Sequence, residues 1–418
     1  MRLRLIWIIL LLMLSVMLTG CNGARETDEV AYILLIGIDK GKNGNYDVTY
    51  QIAVPKALGG EGGGGGDAQP TGLVTVTAPS LAEARNLLKT NQARTVNLSH
   101  NKAFIFGEEL AREGIGDFLS PMLRFREFRG SMFIVVAHNT TAAEFMKKNK
   151  PMLEQLPSKY LETMLLTNDE MGYYLRTSLH EFYARVKSGS GVPYAVLAGV
   201  NPKESEGKAT GSKDKGERTY EYLAGQLPVK NEGNPINFAG TAVFKGDKMV
   251  GTLTTEETRM LAILDGNYPS GFLVVEDPLL PEKGINVNLR LGRSPDIKVR
   301  IAEGRPIIEI KLLFEGEITA IPSGINYERQ EYRELLEEQI SQITTRQMEG
   351  MLTKTIAWGA DVAGFGYRGR RHFSTYKEWT DYRWDEQYAN SRFQLKVTTK
   401  LRRSGLMFQT APLKGSKQ

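Results

Sequence analysis

Cys21 is the only cysteine among 418 residues, so any thiol chemistry in this chain belongs to that position. Met1-Arg2-Leu3-Arg4 precedes a 13-residue run, Leu5 to Met17, with one serine and no charge, and Leu18-Thr19-Gly20-Cys21 closes it. The run is short for a membrane span, which takes about 20 apolar residues. Its order of positive, apolar and small residues is that of a cleaved export signal. The Leu-x-Gly-Cys end resembles a bacterial lipobox, in which the thiol receives a diacylglyceryl group and the cysteine becomes the mature, palmitate-bearing N-terminus. Residues 1–20 are therefore expected to be a lipoprotein signal peptide, with Cys21 as the lipid attachment. Two acyl chains, at about 0.8 kcal/mol per buried methylene, hold a protein at a bilayer where one is marginal.

The other patterns that could carry chemistry are weaker. Gly364-Phe-Gly366-Tyr-Arg-Gly369 satisfies G-x-G-x-x-G. A dinucleotide site needs that motif between a strand and a helix N-terminus. Here a long helical pattern precedes it, so a helix end and turn are expected. The glycine run 59–66 lacks the Gly-Lys-Ser/Thr of a phosphate loop. His100, His138, His180 and His372 show no metal-ligand spacing and read as surface or hydrogen-bonded side chains. Asp39 at a strand end and the acidic stretch Glu26-Thr27-Asp28-Glu29 could be paired hydrolytic carboxylates, but turn and cap roles account for them. Arg368 to Arg371 and Arg402-Arg403 read as solvated faces rather than phosphate contacts. There is no G-x-S-x-G elbow. No catalytic, cofactor-binding or metal-ligating residue is expected.

Composition narrows the class further. Removing residues 1–20 leaves 51 basic against 48 acidic side chains, a net of +3. That gives no electrostatic case for nucleic acid, though it permits attraction to anionic headgroups. With one cysteine there are no disulfides and no thiolate metal cluster, so stability must come from packing. A chain of this length is expected to form two or three domains.

The elements that position these residues follow from periodicity. Val30 to Asp39 is an unbroken apolar run, a buried strand. Residues 41–45 are a turn, and 46–54 alternate with period two, giving a β-hairpin ended by Pro55. Residues 72–78, 103–106 and 131–137 read as strands. Helices are expected from Leu81 (Ser80 as cap, Glu83 three residues on), over 108–125, over 141–148, and in two or three pieces over 158–187. Residues 201–218 are polar, a linker or surface loop. A hairpin over 238–253 leads to a helix capped by Thr254 or Thr255 and running through Leu264. Residues 270–276, 284–292, 296–303 and 306–321 read as an antiparallel sheet. The longest helix is expected over about 326–358, with Leu336, Ile340, Ile343, Met351 and Ile356 on one face. Residues 392–402 close as a strand. The expected architecture is α/β (α+β), in three mixed domains of sheets with flanking helices: 21–200, 219–283 and 284–418. In the last, the long helix packs on an antiparallel sheet.

Several segments together resemble one family. The lipobox, Glu26-Thr-Asp-Glu-Val-Ala-Tyr-Ile-Leu-Leu-Ile-Gly-Ile-Asp-Lys-Gly41, Tyr46-Asp-Val-Thr-Tyr-Gln-Ile and Pro55 are similar to the N-terminal signature of the Ger(x)C lipoproteins, the C-subunits of spore germinant receptors. Gly240-Thr-Ala-Val-Phe-Lys-Gly-Asp-Lys-Met-Val-Gly251 with Glu257-Thr-Arg259 resembles a second signature. Ala360-Asp-Val-Ala-Gly-Phe-Gly366, with Trp384 and Lys400-Leu-Arg-Arg-Ser-Gly405, resembles a third. The glycine run 59–66 and the polar stretch 201–218 depart from the pattern. The resemblance implies a non-enzymatic subunit bound to an A-type and a transporter-like B-type membrane subunit. It would sit on the outer face of the inner spore membrane and act in nutrient-triggered germination. Whether this subunit binds a small molecule of its own is left open by the resemblance. The competing expectations are a solute-binding lipoprotein of an importer, which needs two similar lobes around a cleft, and a cell-envelope hydrolase.

Overall fold

The structure, a computed structural model, describes residues 29–53, 71–154, 156–167, 171–202, 221–229 and 233–403, with the isolated positions 4, 6, 7 and 410. Cys21, nearly all of the signal segment, the acidic residues 26–28, the glycine run and nearly all of the polar stretch after 201 lie outside the described residues.

A first sheet of nine strands dominates the N-terminal part. Its elements in chain order are β1 (Val30–Lys40), β2 (Tyr46–Ala53), β3 (Thr71–Ala78), α1 (Leu81–Asn91), β4 (Thr95–Asn97), β5 (Ala103–Gly107), α2 (Glu108–Glu113), α3 (Gly116–Arg124), β6 (Phe133–Ala137), α4 (Ala142–Lys148), α5 (Pro157–Leu166), α6 (Leu179–Ser188), β7 (Tyr194–Val200), β8 (Ile236–Lys245) and β9 (Lys248–Leu253). The order is β3-β2-β1-β5-β6-β7-β8-β9, with β4 beside β1. β1, β5, β6 and β7 run parallel, and antiparallel pairs flank them on both sides. The parallel strands are continuous apolar runs because helices cover both faces. Ile33, Ile36 and Ile38 of β1 pack with α1, α2, α3 and α6 on one face. Leu35 packs with Phe145 and Met146 of α4 and Leu161 and Leu165 of α5 on the other.

The second sheet has five strands. After α7 (Thr255–Leu264) come β10 (Gly271–Glu276), β11 (Gly284–Leu291), β12 (Asp296–Ala302) and β13 (Arg305–Ala320), then α8 (Gln330–Ala357). Short helices α9 (Gly366–Gly369), α10 (Tyr376–Tyr382) and α11 (Trp384–Gln387) lead to β14 (Arg392–Arg403). β10 to β13 pair antiparallel as expected, while β14 adds to the free side of β13 in parallel. β13 alternates strictly, burying Ile308, Ile310, Leu312, Phe314 and Ile318. They share one core with Leu336, Ile340, Ile343 and Met351 of α8.

Two expectations shift. The long helix starts at Gln330 rather than 326, because Tyr327 turns inward and its hydroxyl bonds the buried Asp277 carboxylate; its 28 residues span about 42 Å. The helix expected over 108–125 is two helices. Gly114, at φ 137°, breaks it, and the Ile115 N–H donates to the Asp247 carbonyl at 3.0 Å. Within the segment 219–283, expected as a middle domain, β8 and β9 extend the first sheet and β10 opens the second. Burial on both faces of β8 leaves that strand no place but inside a larger sheet.

Candidate functional site

Asp39, Glu108 and His138 gather at the carboxyl ends of β1, β5 and β6, the edge where parallel sheets commonly place ligands. Each is already engaged within the fold. The Asp39 carboxylate accepts the Ala142 N–H at 2.7 Å and the Ala143 N–H at 3.0 Å, at the start of α4. Burial pushes its carboxyl up, against the pull of those two amides. Gly107 has no side chain because a Cβ there would stand 2.2 Å from Asp39 Oδ1. Glu108 Oε2 meets His138 Nδ1 at 2.8 Å and the Asn139 N–H at 3.0 Å, and Arg112 holds Oε1. Burial opposes the Glu108 charge, but these donors outweigh it and hold the carboxyl down to about 2. The spacing of Glu108 and His138, 30 residues apart, carried no sequence signal. Among the described residues no group of three or more His, Cys, Asp or Glu could hold a metal ion.

The remaining histidines stand apart. His100 is exposed and meets the Tyr32 ring edge-on. His180 is exposed in the first turn of α6. His372 shares a hydrogen bond of 2.6 Å with the Val299 carbonyl. Arg370 lies over the Tyr376 ring, and Arg402 pairs with Glu315 at 2.7 Å.

The glycines of G-x-G-x-x-G serve a tryptophan. Asp361 is fully buried, and its carboxylate accepts the N–H groups of Phe365 (3.0 Å) and Gly366 (2.8 Å) and the indole N–H of Trp384 (2.9 Å). Burial pushes its carboxyl up to about 6 despite those three donors. A Cβ on Gly366 would lie 2.7 Å from Trp384 Nε1, and one on Gly369 would lie 2.8 Å from Trp384 Cζ3. The motif is therefore a seat for an indole, with no open phosphate cradle.

That seat also joins the two sheets. The Val192 N–H, just before β7, donates to the Asp361 carbonyl at 2.9 Å. Arg185 of α6 donates to the Val362 carbonyl at 3.1 Å, lies over the Tyr194 ring, and faces Asp265 at 3.8 Å. Nearby, Lys354 of α8 pairs with Glu257 of α7 at 2.7 Å. Gly251 of β9 admits the Trp358 ring, which a Cβ would meet at 2.2 Å. Thr254 and Glu257 form a reciprocal capping box at the start of α7. Within α7, Arg259 and Glu256 pair at 2.8 Å with both side chains buried, and Arg259 lies over Tyr173. Gly251 and Glu257 of the second signature segment thus meet the end of α8, which leads into the third segment, at the joint between the sheets. An open cleft of about 530 Å³ beside this joint is lined by Arg176, Glu181, Tyr194 and Tyr268 among others. Its polar groups are spent on the fold: Glu181 closes the α6 capping box, and the Tyr194 hydroxyl reaches Asp265 at 3.4 Å.

Comparison with known proteins matches the chain in two parts, and their boundary falls within the first sheet rather than between the two sheets. A family described as "Spore germination protein N-terminal domain" matches residues 23–200, and one described as "Spore germination B3/ GerAC like, C-terminal" matches residues 239–405. The putative spore germination protein YfkR of Bacillus subtilis (strain 168) is 23% identical over 408 residues, covering 96% of this chain and 97% of that protein. Spore germination protein KC of the same organism is 23% identical, covering 95% of each chain. Among solved structures, the GerBC protein is similar at 18% identity with a TM-score of 0.46, over 88% of this chain and 96% of that one. With both of its parts matched, the chain belongs to the Ger(x)C family of spore germination proteins.

Proposed function

We propose that the chain is a lipid-anchored, non-enzymatic subunit of a spore nutrient-germinant receptor, required for nutrient-triggered germination. The observation that carries this reading is the match of both halves to spore germination families, over residues 23–200 and 239–405. The ionisable groups support it, because the clustered carboxylates are bound to amides, a histidine, an indole or arginines of the fold rather than turned toward a cleft. No helix among the described residues is long and apolar enough to cross a membrane, so a membrane position rests on acylated Cys21 and on partners. Those partners are an A-type and a B-type integral-membrane subunit, met at the outer face of the inner spore membrane. Division into three domains is retained as part of the proposal, with the middle one lending strands to both sheets. A solute-binding lipoprotein is disfavoured by its need for two similar lobes, since one sheet here has nine strands and the other five.

Spores carrying Cys21→Ala test the reading. Loss of the chain from the membrane fraction together with loss of nutrient-triggered germination is the expected result. Normal germination with the variant still sedimenting with membranes would sink the anchor. Normal germination after deletion of the gene would sink the receptor role.

A further inference from the structure

Between α4 and α5 the chain reads Lys147-Lys-Asn-Lys150-Pro-Met-Leu153-Glu-Gln-Leu-Pro157-Ser-Lys159. Leu153 is 97% and Met152 76% exposed, the two most exposed large apolar side chains among the described residues. They are held there by a fixed base. Asn149 is buried, its N–H donates to the Phe145 carbonyl at 3.1 Å, and its amide oxygen accepts from Asn234 at 3.2 Å. The Lys150 N–H donates to Asn234 Oδ1 at 3.1 Å. Lys147 and Lys150 are exposed and have no carboxylate partner among the described residues.

The loop sits at a particular end of the first sheet. With Met146 and Lys147 it lines a groove of about 470 Å³ against Gln51, Thr71 and the half-exposed Leu73. Thr71 pairs with Ala53, and Ile52 with Ile33, so the groove lies at the amino end of β1. That is the end at which the chain enters at Val30. Val30 lies nine positions after Cys21, a reach of at most about 30 Å. Two apolar tips, with Lys147 and Lys150 before them and Glu154 after them, offer too little area for a stable protein interface, which buries on the order of 1,200 Å² or more. They match what a bilayer surface takes: apolar groups at the acyl boundary and cations among anionic headgroups.

We propose that residues 147–154, from the end of α4 into the loop after it, are a second membrane contact, in which Met152 and Leu153 enter the interfacial layer of an anionic bilayer and Lys147 and Lys150 meet its headgroups. The inference rests on the lipid-anchor reading of Cys21. It orients the molecule, with the amino end of β1 toward the membrane and the edge carrying Asp39, Glu108 and His138 away from it.

The sole cysteine makes the test selective. The full lipidated chain carrying Met152→Cys is labelled with an environment-sensitive thiol dye. It is then placed in phosphatidylcholine vesicles, with and without phosphatidylglycerol, that contain spin-labelled lipid as quencher. Thr353→Cys, on the exposed side of α8, is the aqueous control. Blue-shifted emission at 152, quenched by the lipid spin label and more so with phosphatidylglycerol, is the expected result. Leu153→Asp on the labelled chain should lower the inserted fraction about tenfold or more. A 152 dye as water-exposed as the 353 dye overturns the proposal, as does blue-shifted emission that the lipid quencher does not reach, which would mean a protein contact. Dye uptake by the wild-type chain shows a free Cys21 thiol. That outcome overturns the anchor reading and the proposal with it, whereas a dye-refusing wild type with an unquenched 152 overturns the loop contact alone.

Discussion

Gly366→Ala separates a packing role for the G-x-G-x-x-G segment from a nucleotide-binding one. The new methyl would sit 2.6 Å from the Ser190 carbonyl oxygen and 2.7 Å from Trp384 Nε1. Neither neighbour can yield cheaply. Ser190 is buried backbone beside β7, and the indole is fully buried and bonded to Asp361. Overpacking of this kind costs about 1–3 kcal/mol, and pushing the indole off Asp361 adds about 1 kcal/mol for the lost hydrogen bond. The sum is on the order of 3 kcal/mol, a fall of about 1 M in urea midpoint if the slope is about 3 kcal/mol/M. Trp384→Phe in the same chain removes the Nε1 contact but leaves the Ser190 contact and the loss of the Asp361 hydrogen bond, so it should not restore the wild-type midpoint. The assay is urea unfolding of the mature chain, followed by tryptophan fluorescence and far-UV circular dichroism in parallel. A midpoint within about 0.2 M of wild type would refute the packing argument, and stabilisation of the wild type by ATP or NAD would refute the exclusion of a nucleotide.

Other perturbations should follow from the same geometry. Arg259→Met leaves Glu256 buried without its partner and should cost about 3–5 kcal/mol in unfolding experiments, while Glu256→Leu added to it should recover most of the loss. Glu108 is held down to about 2, so its stabilisation is present above the ordinary carboxyl range near 4.5 and is lost as the pH falls toward 2. The stability of Glu108→Gln should therefore change less between pH 5 and pH 2.5 than that of wild type. Asp361 works in the opposite sense. Its carboxyl is raised from 3.8 to about 6, so its contribution is complete below pH 3.8 and is lost as the pH rises through 6. The stability gap between wild type and Asp361→Asn should widen as the pH is lowered from 7 to 4.

Local signals in the sequence were dependable where one segment decides its own structure. The hairpin over 30–54 is visible because Asn43 and Gly44 supply the positive-φ turn between two apolar runs. Thr254 three residues before Glu257 announces the α7 cap, and the period-two pattern of 306–321 announces β13. The contacts that matter at the site join residues far apart and leave no local trace. Trp384 explains Gly366 and Gly369, yet nothing within the motif points to it. Glu108 reads as an ordinary helix-start acid until β6 brings His138 beside it. Tyr327 looks helical, and only the buried Asp277, 50 residues earlier, draws it out of the helix. The membership of β8 and β9 in the first sheet was hidden for the same reason, since pairing with β7 crosses the whole polar stretch after 201.

The most direct measurement of the receptor role is recovery of the tagged, full-length chain from detergent-solubilised spore membranes, followed by mass spectrometry and stoichiometry. Two polytopic membrane proteins, in amounts comparable to the chain, are the predicted companions. Recovery of the chain alone, or with the ATPase and permease of an importer, would contradict the assignment as a germinant-receptor subunit.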